Sequence, residues 1–495
     1  MHVTFSAKTD VGRVRERNED NFLIDKKLQL HVVCDGMGGH AAGAVASATA
    51  VNVAREHLLQ HQEAIESYRS NSGVTDRHDL LRLLEETIQQ ACFKIYERAQ
   101  RTPQERGMGT TLSLILFVRD RAFIGHVGDS RVYLLRDSNL HQLTDDHSLL
   151  ADMVKHGRIN SPQEVDPRFR NAVTRAVGVH ETVDVDTLDL EVLPGDQFLL
   201  CSDGLTGYAN AATLKEIIEA ASDEEQACQA LIDHANEQGG SDNITALLTT
   251  VQEVPDCQPQ KLRHILDTLR GLALFQYLSY PELLRVLNIA EQIQLTEGEL
   301  AFSQGDHGHC AYVILGGRIQ IRVDDITIAV LEQGRHFGEM ALVDDQPRSA
   351  DAIAAENSWL LIVPRSAFYD IMRKNPMLAV KLLWSFLKAL TIRLRRTTSE
   401  LSLTKRLFSE VSPEEVTQMS TEWLPPDNLQ YVRRPRRDSG LHRLGKQLDT
   451  PDSPGPPTVP EFPAVEASGV HEPPPEVPSE TSEAWSHFDD GEEPE

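Results

Sequence analysis

Apolar and polar positions change rhythm several times along this chain. From residue 1 to about 253, compact apolar runs ending at turn residues alternate with stretches of helical spacing, the texture of a mixed α and β domain. The runs VVC (32–34), AFIGHV (122–127), FLLC (198–201) and ITALLTTV (244–251) predict buried strands. VPDCQPQK (254–261) breaks both rhythms and reads as a linker. From about 262 to 403, short alternating runs punctuated by glycines at 298, 305, 316, 317, 334 and 338 give way to helices, as in a small β-roll. Beyond Pro413 the chain becomes proline-rich and polar, and buries too little apolar surface to fold. The expected layout is a 1–253 domain, a 254–262 linker, a 263–403 domain and a disordered acidic tail at 404–495.

Size and charge sharpen this picture. A chain of 495 residues with 40% hydrophobic content can hold two or three domains with real cores. A formal charge of −27 argues against non-specific nucleic-acid binding, which needs a basic face. The six cysteines form no C-x-x-C pair and no zinc spacing, which fits a reduced, intracellular setting. No apolar run approaches 18 residues, and the start lacks a signal-peptide core. The expectation is a cytoplasmic protein with no membrane span.

The candidate chemistry gathers where strands stop. In LQLHVVCDGMGGH (28–40) an apolar run meets Asp35 and then a glycine-rich turn. Gly36, Gly38 and Ala41 fit a G-x-G-x-x-A dinucleotide loop. Alternatively, Asp35 is a metal ligand and the glycines let backbone crowd around a charged site. Arg15, Glu19 and Asp20 stand just ahead of another apolar run. Asp129 falls at the tip of what reads as a hairpin, AFIGHVGDSRVYLL (122–135). Asp203 ends a strand and Asp242 begins one. Unpaired carboxylates at the ends of buried strands are costly, and a cation removes the cost. The donors are all oxygens, so the chemistry points to Mg²⁺ or Mn²⁺. Several carboxylates shared among ions would make a two-metal site for an in-line displacement.

Seven strings then occur in order: R-x-x-N-E-D-N (15–21), D-G-M-G-G-H (35–40), G-M-G-T-T-L (107–112), G-D-S-R (128–131), L-T-D-D-H-S (143–148), S-D-G-L (202–205) and G-S-D-N-I-T (240–245). Together they resemble the motif series of the metal-dependent PPM (type 2C) Ser/Thr protein phosphatases, over about residues 5–251. A dinucleotide loop does not account for the other aspartates. The resemblance implies an αββα four-layer sandwich, within an α+β chain, that hydrolyses phosphoserine and phosphothreonine in phosphoprotein substrates. Carried over by position, Asp35 would bridge two metals and the carbonyl of Gly36 would bind one of them. Asp203 and Asp242 would hold the other ion. Glu19 and Asp20 would orient metal-bound waters, with Asp20 counted in the metal set. Asp129 resembles the ligand of a third, weaker ion shared with Asp203. Arg15 would grip the substrate phosphate, although spacing alone leaves Arg13, Arg15 and Arg17 equivalent. Met37 stands where some family members carry a histidine as candidate general acid, so the proton donor is unassigned; His40 reads as a helix-start residue. The segment 147–180 resembles the variable flap beside the cleft.

The second region carries F-G-E-x-A-L-x4-P-R-S-A (337–350), which resembles the phosphate-binding cassette of the cyclic nucleotide-binding domain family, over about 264–400. The resemblance implies that Glu339 contacts the ribose 2′-hydroxyl and Arg348 the cyclic phosphate of cAMP or cGMP. Gly338, Met340, Ala341 and Ser349 would add backbone or hydroxyl contacts. Leu383, Leu387, Leu390 and Leu394 form a stripe that either packs on the β-roll or makes a homodimer seam through 378–401. Related transcription regulators continue into a helix-turn-helix, whereas here a proline-rich tail follows, so no nucleic-acid partner is expected. In that tail, RRPRRDSG (433–440) is a solvated basic patch or a basophilic kinase site at Ser439. SEAWSHF (482–488) reads as a possible short docking segment.

Overall fold

The computed structural model describes residues 1–38, 42–155, 158–159, 172–255 and 257–410. His40, Ser439, the 482–488 segment and the tail from 411 onward lie outside the described residues.

The apolar runs become strands buried on both faces, most clearly at Leu112–Val118 and Arg121–Val127. The strands of the first part are β1 (His2–Asp10), β2 (Asn21–Asp25), β3 (Leu30–Cys34), β4 (Gly36–Met37), β5 (Gly109–Thr110), β6 (Leu112–Val118), β7 (Arg121–Val127), β8 (Arg131–Arg136), β9 (Asn139–Gln142), β10 (Asp186–Glu191), β11 (Gln197–Cys201) and β12 (Ile244–Glu253). Ten of them build two five-stranded antiparallel sheets, ordered β1-β12-β11-β8-β9 and β10-β7-β6-β3-β2, and β4 pairs with β5 on its own. The sheets share a core that includes Val33, Phe117, Val132, Phe198 and Leu247.

Helices α1 (Ala42–Gln60), α2 (Gln62–Arg69) and α3 (Arg77–Arg101) cover the second sheet. A short α4 (Leu149–Lys155) lies within the 147–180 segment, of which residues 156–157 and 160–171 fall outside the described residues. After α5 (Asp203–Thr206), helices α6 (Ala211–Ala220) and α7 (Glu224–Glu237) cover the first sheet. The result is the expected αββα sandwich. Local signals place the helix starts: Asp76 and Asp79 make a reciprocal capping box on α3, and the Asn210 and Asp223 side chains cap α6 and α7.

One expectation fails. The segment 122–135 is no hairpin: β7 pairs with β6 and β10, whereas β8 pairs with β11 and β9. Gly128–Asp129–Ser130 is therefore an arch that carries the chain from one sheet to the other. Gly128, at φ +113°, makes the change of direction, and an added Cβ would stand 2.5 Å from the Thr111 side chain. The true two-residue hairpin follows it, between β8 and β9, with Asp137 and Ser138 both at positive φ.

The second part contains α8 (Pro259–Gly271), α9 (Tyr280–Ile289), β13 (Glu291–Leu295), β14 (Leu300–Phe302), β15 (Cys310–Gly316), β16 (Arg318–Val323), β17 (Ile326–Glu332), β18 (His336–Phe337), β19 (Asp351–Ala354), β20 (Ser358–Pro364), α10 (Arg365–Lys374) and α11 (Pro376–Glu410). Its two four-stranded sheets, β13-β20-β15-β18 and β14-β19-β16-β17, close on Tyr312, Ile314, Ile319, Phe337 and Leu360. Helix α8 starts inside the expected linker, because Pro259 suits the first helical turn, where its missing N–H costs nothing. Helix α11 runs to Glu410, seven residues into the expected tail. No helix among the described residues is long and apolar enough to cross a membrane.

Candidate metal centre and nucleotide pocket

The ends of strands from both sheets meet over a cavity of about 750 Å³ lined by Arg15, Glu16, Arg17, Glu19, Asp35, Gly36, Met37, Gly38, Asp129, Val173, Asp203, Asp242 and Asn243. Asp35 follows β3 in one sheet, while Asp203 follows β11 and Asp242 precedes β12 in the other. Asp129 comes from the arch between them.

The glycines of the Asp35 loop have a steric cause. A Cβ on Gly36 would stand 2.2 Å from the Gly43 carbonyl oxygen and 2.7 Å from that of Glu19. A Cβ on Gly43 would stand 2.3 Å from Glu19 Oε2. Backbone therefore packs directly on backbone here, which leaves the Asp35 turn no slack. Its main chain is fixed as well: Thr111 Oγ1 accepts from the Asp35 N–H at 2.8 Å, and the Asp35 carbonyl accepts from Thr110 Oγ1 at 2.8 Å and Thr111 N at 2.9 Å.

Asp20 lies buried behind the cavity wall. Its Oδ2 accepts from Ser202 Oγ at 2.8 Å and Thr245 Oγ1 at 2.6 Å, while its Oδ1 is buried with no hydrogen-bond partner. Asp203 Oδ1 is buried and unpartnered in the same way. Burial, then the neighbouring carboxylates, push the Asp20 carboxyl up to about 7 and hold Asp35 well above the usual range. Burial and then Asp203 push Asp129 up to about 7, and burial and Asp242 raise Asp203. A carboxylate cluster that holds protons this tightly gains most from a dication that replaces them.

Among the described residues no three His, Cys, Asp or Glu side chains close into a ready-made cage. Asp35 and Asp203 lie within side-chain hydrogen-bond reach of one another, and Asp20, Asp129 and Asp242 act electrostatically on that pair, an all-oxygen set of the kind that Mg²⁺ or Mn²⁺ accepts. With all-oxygen donors and two orphaned buried oxygens, the residues present fit hydrated Mg²⁺ or Mn²⁺.

Arg15 sits on the rim, half exposed, and donates from Nη2 to Asp242 Oδ2 at 2.7 Å. Arg17 lines the cavity too, whereas Arg13 is not among the lining residues. Asn243, which motif reading left without a role, ties the loop down. Its Nδ2 donates to the carbonyls of Val11 at 3.0 Å and Arg17 at 2.9 Å, and its Oδ1 accepts from Glu19 N at 2.8 Å. Its place beside Asp242 was the only available signal, because its partners lie more than 220 residues away in sequence.

In the second part, Gly338 at φ +68° opens a 3-10 turn, Glu339–Leu342, in which Ala341 is buried and Met340 exposed. Arg348 is 8% exposed and donates from Nη1 to the Gly338 carbonyl at 2.9 Å and from Nη2 to the Cys310 carbonyl at 2.8 Å. Its guanidinium lies 4.1 Å from the Phe302 ring centroid, and its Nε is buried without a partner. A side chain on Gly308 would meet that Nε at 2.9 Å, so glycine keeps space beside it. Ser349 is exposed. Gly338, Ala341 and Arg348 thus come together.

Comparison with known proteins matches residues 12–249 to the family Protein phosphatase 2C and residues 292–375 to the Cyclic nucleotide-binding domain. The serine/threonine phosphatase stp of Listeria innocua is 36% identical over 251 residues, covering 50% of this chain and 95% of that protein. The serine/threonine protein phosphatase PstP of Mycobacterium tuberculosis is 34% identical over 258 residues, covering 52% of this chain and 47% of PstP. A solved structure of the PstP catalytic domain in complex with two manganese ions is 33% identical, with a TM-score of 0.42, covering 51% of this chain and 99% of that domain.

Proposed function

Because the chain belongs to the protein phosphatase 2C family and carries a cyclic nucleotide-binding domain behind its phosphatase part, we propose that it is a Mg²⁺- or Mn²⁺-dependent protein serine/threonine phosphatase governed by a cyclic nucleotide. The observation that carries the catalytic half is the convergence of aspartates from both sheets on one cavity, with buried oxygens left unpartnered. Asp35, the Gly36 carbonyl, Asp203 and Asp242 would hold two ions, with Asp129 sharing a third with Asp203. Glu19, which lines the cavity, and the buried Asp20 would orient waters bound to those ions, with Asp20 counted in the metal set. Ions held there would supply an activated water and offset charge developing at phosphorus.

The chain's own residues do the rest. Arg15 binds the non-bridging oxygens of a phosphoserine or phosphothreonine through charge-assisted hydrogen bonds. Asp242 aims its guanidinium, and Asn243 fixes the loop that carries it. Met37 has no exchangeable proton, so the leaving oxygen takes its proton from another donor.

In the second domain, Arg348 is held ready for the cyclic phosphate by main-chain carbonyls and an aromatic face. Glu339 accepts from the ribose 2′-hydroxyl of cAMP or cGMP. The Gly338–Ala341 turn supplies main-chain groups, and Ser349 supplies a hydroxyl. Leu383, Leu387, Leu390 and Leu394 are all exposed on α11, which supports a homodimer through that helix. Six unpaired cysteines suit a cytoplasmic setting.

The test is hydrolysis of p-nitrophenyl phosphate and a phosphothreonine peptide by the full chain with Mn²⁺, with and without each nucleotide. Asp35→Asn is expected to lose turnover, and Arg348→Ala to lose only the nucleotide response. Turnover that is unchanged in Asp35→Asn would overturn the catalytic assignment.

A further inference from the structure

Helix α9 touches both sheets of the phosphatase at the end opposite the cavity. Near its start, the Tyr280 hydroxyl accepts from Arg136 Nη1 at 2.9 Å, and the Tyr280 ring stacks on His141 with centroids 4.0 Å apart. Arg136 ends β8 and is buried in an ion pair with Asp196, at 2.5 Å. Near the end of α9, Asn288 Oδ1 accepts from Arg121 Nη2 at 2.8 Å, and Asn288 Nδ2 donates to the Asp189 carbonyl at 2.6 Å. Arg121 starts β7 and is buried in an ion pair with Asp189, at 2.6 Å. Arg77 of α3 also donates to the Asn288 carbonyl, at 2.7 Å.

These two arginines are the far ends of the two strands joined by the Asp129 arch. Tyr280 and Asn288 lie eight residues apart on one helix, or ~12 Å, and stacked sheets stand ~10 Å apart. A single helix thus brackets both sheets, each through a buried arginine that depends on it for a hydrogen bond. Leaving buried donors of this kind unpaired is costly.

The outer side of the bracket belongs to the nucleotide-binding domain. Lys381 of α11 pairs with Glu282 of α9 at 2.7 Å, and Glu282 also accepts from the Ser279 N–H at 2.7 Å to cap the helix. Helix α10 packs against α9, α11 and the Glu339–Leu342 turn. Contacts therefore run from the phosphate cassette through α10 and α9 to both sheets.

We propose that Tyr280 and Asn288 are positioning residues through which the nucleotide-binding domain sets the spacing of the two sheets, and with it the geometry of Asp129, Asp35 and Asp203. The proposal rests on the nucleotide reading above and adds its route. Adjacency of contacts is not yet coupling, so the route is broken without touching either site. The full chain is compared with Tyr280→Phe/Asn288→Ala and, at the outer contact, Lys381→Met. Each protein is assayed for cAMP and cGMP binding by calorimetry and for kcat and KM on p-nitrophenyl phosphate with Mn²⁺, with and without nucleotide. Thermal melts confirm folding.

The expected result is wild-type binding with a several-fold change in rate on nucleotide addition. The double variant should bind nucleotide within about twofold of wild type, yet lose most of that change; Lys381→Met should reduce it. A variant response equal to wild type, or wild-type binding with no change in rate, would overturn the route. Absence of wild-type binding to either nucleotide would overturn the nucleotide reading itself, and the route with it. If the double variant does not fold, an undiminished response in Lys381→Met overturns the route.

Discussion

The two sites proposed for phosphate rest on opposite electrostatic principles. The phosphatase cavity is walled by aspartates and carries its cations at the rim, on Arg15 and Arg17. The proposed nucleotide site has one buried arginine, held by carbonyl oxygens and aromatic faces. A bare carboxylate cluster repels phosphate, so the first pocket needs metal before it can bind substrate. The second needs none. The difference matches the proposed tasks: cleavage requires an activated nucleophile and charge compensation at phosphorus, whereas the sensing proposed for the second domain requires only retention of the ligand.

That contrast can be broken most severely at the carboxylates. Asp35→Asn or Asp203→Asn should lower Mn²⁺-dependent kcat by more than the ~100-fold expected for an outer-shell change, as read by steady-state phosphopeptide hydrolysis. Arg15→Ala should lower kcat/KM by roughly 10- to 100-fold, the worth of a charged hydrogen bond of about 1.5–3 kcal/mol, while Mn²⁺ affinity changes little. Arg348→Ala should weaken nucleotide binding by a similar factor of roughly 10 to 100, and chelation with EDTA should abolish turnover but leave that binding intact. Asn243→Ala should raise KM by about tenfold or less, since it frees the Arg15 loop and removes no ligand.

The smallest effect concerns acid stability. Burial pushes His31 down to about 4 and His126 down to about 3, both below an unfolded value near 6.5. Protonation therefore favours the unfolded chain as pH falls from 6.5 toward 4, and stability is lost in that window. Each residue contributes on the order of 2 kcal/mol by pH 4.5. Denaturant melts of His31→Gln should show a shallower loss across the same range.

Much of the site was legible because its residues sit at strand ends, where turn chemistry and carboxylates coincide within short strings. Asp35, Asp129, Asp203 and Asp242 could be named that way, and the cavity brings them together. The strings also explain what was missed. G-D-S-R is good turn chemistry whether the flanking strands pair or part, so the arch between sheets looked like a hairpin until the partners of β7 and β8 were known. Asn243 acts on main-chain groups that no side-chain pattern announces. The bracket of Tyr280 and Asn288 joins positions 144 and 167 residues apart, and nothing local marks either residue. Helix α8 hid inside a proline-containing linker because proline both starts helices and breaks them.

The most direct measurement is calorimetric titration of Mn²⁺ into the full chain and into Asp203→Asn, alongside phosphopeptide hydrolysis by the same samples. A carboxylate centre shared by both sheets predicts at least two bound ions in the wild type, fewer or far weaker in the variant, and turnover that rises only as the sites fill. Turnover without added metal in chelator-treated protein, or unchanged Mn²⁺ binding in Asp203→Asn, would contradict it.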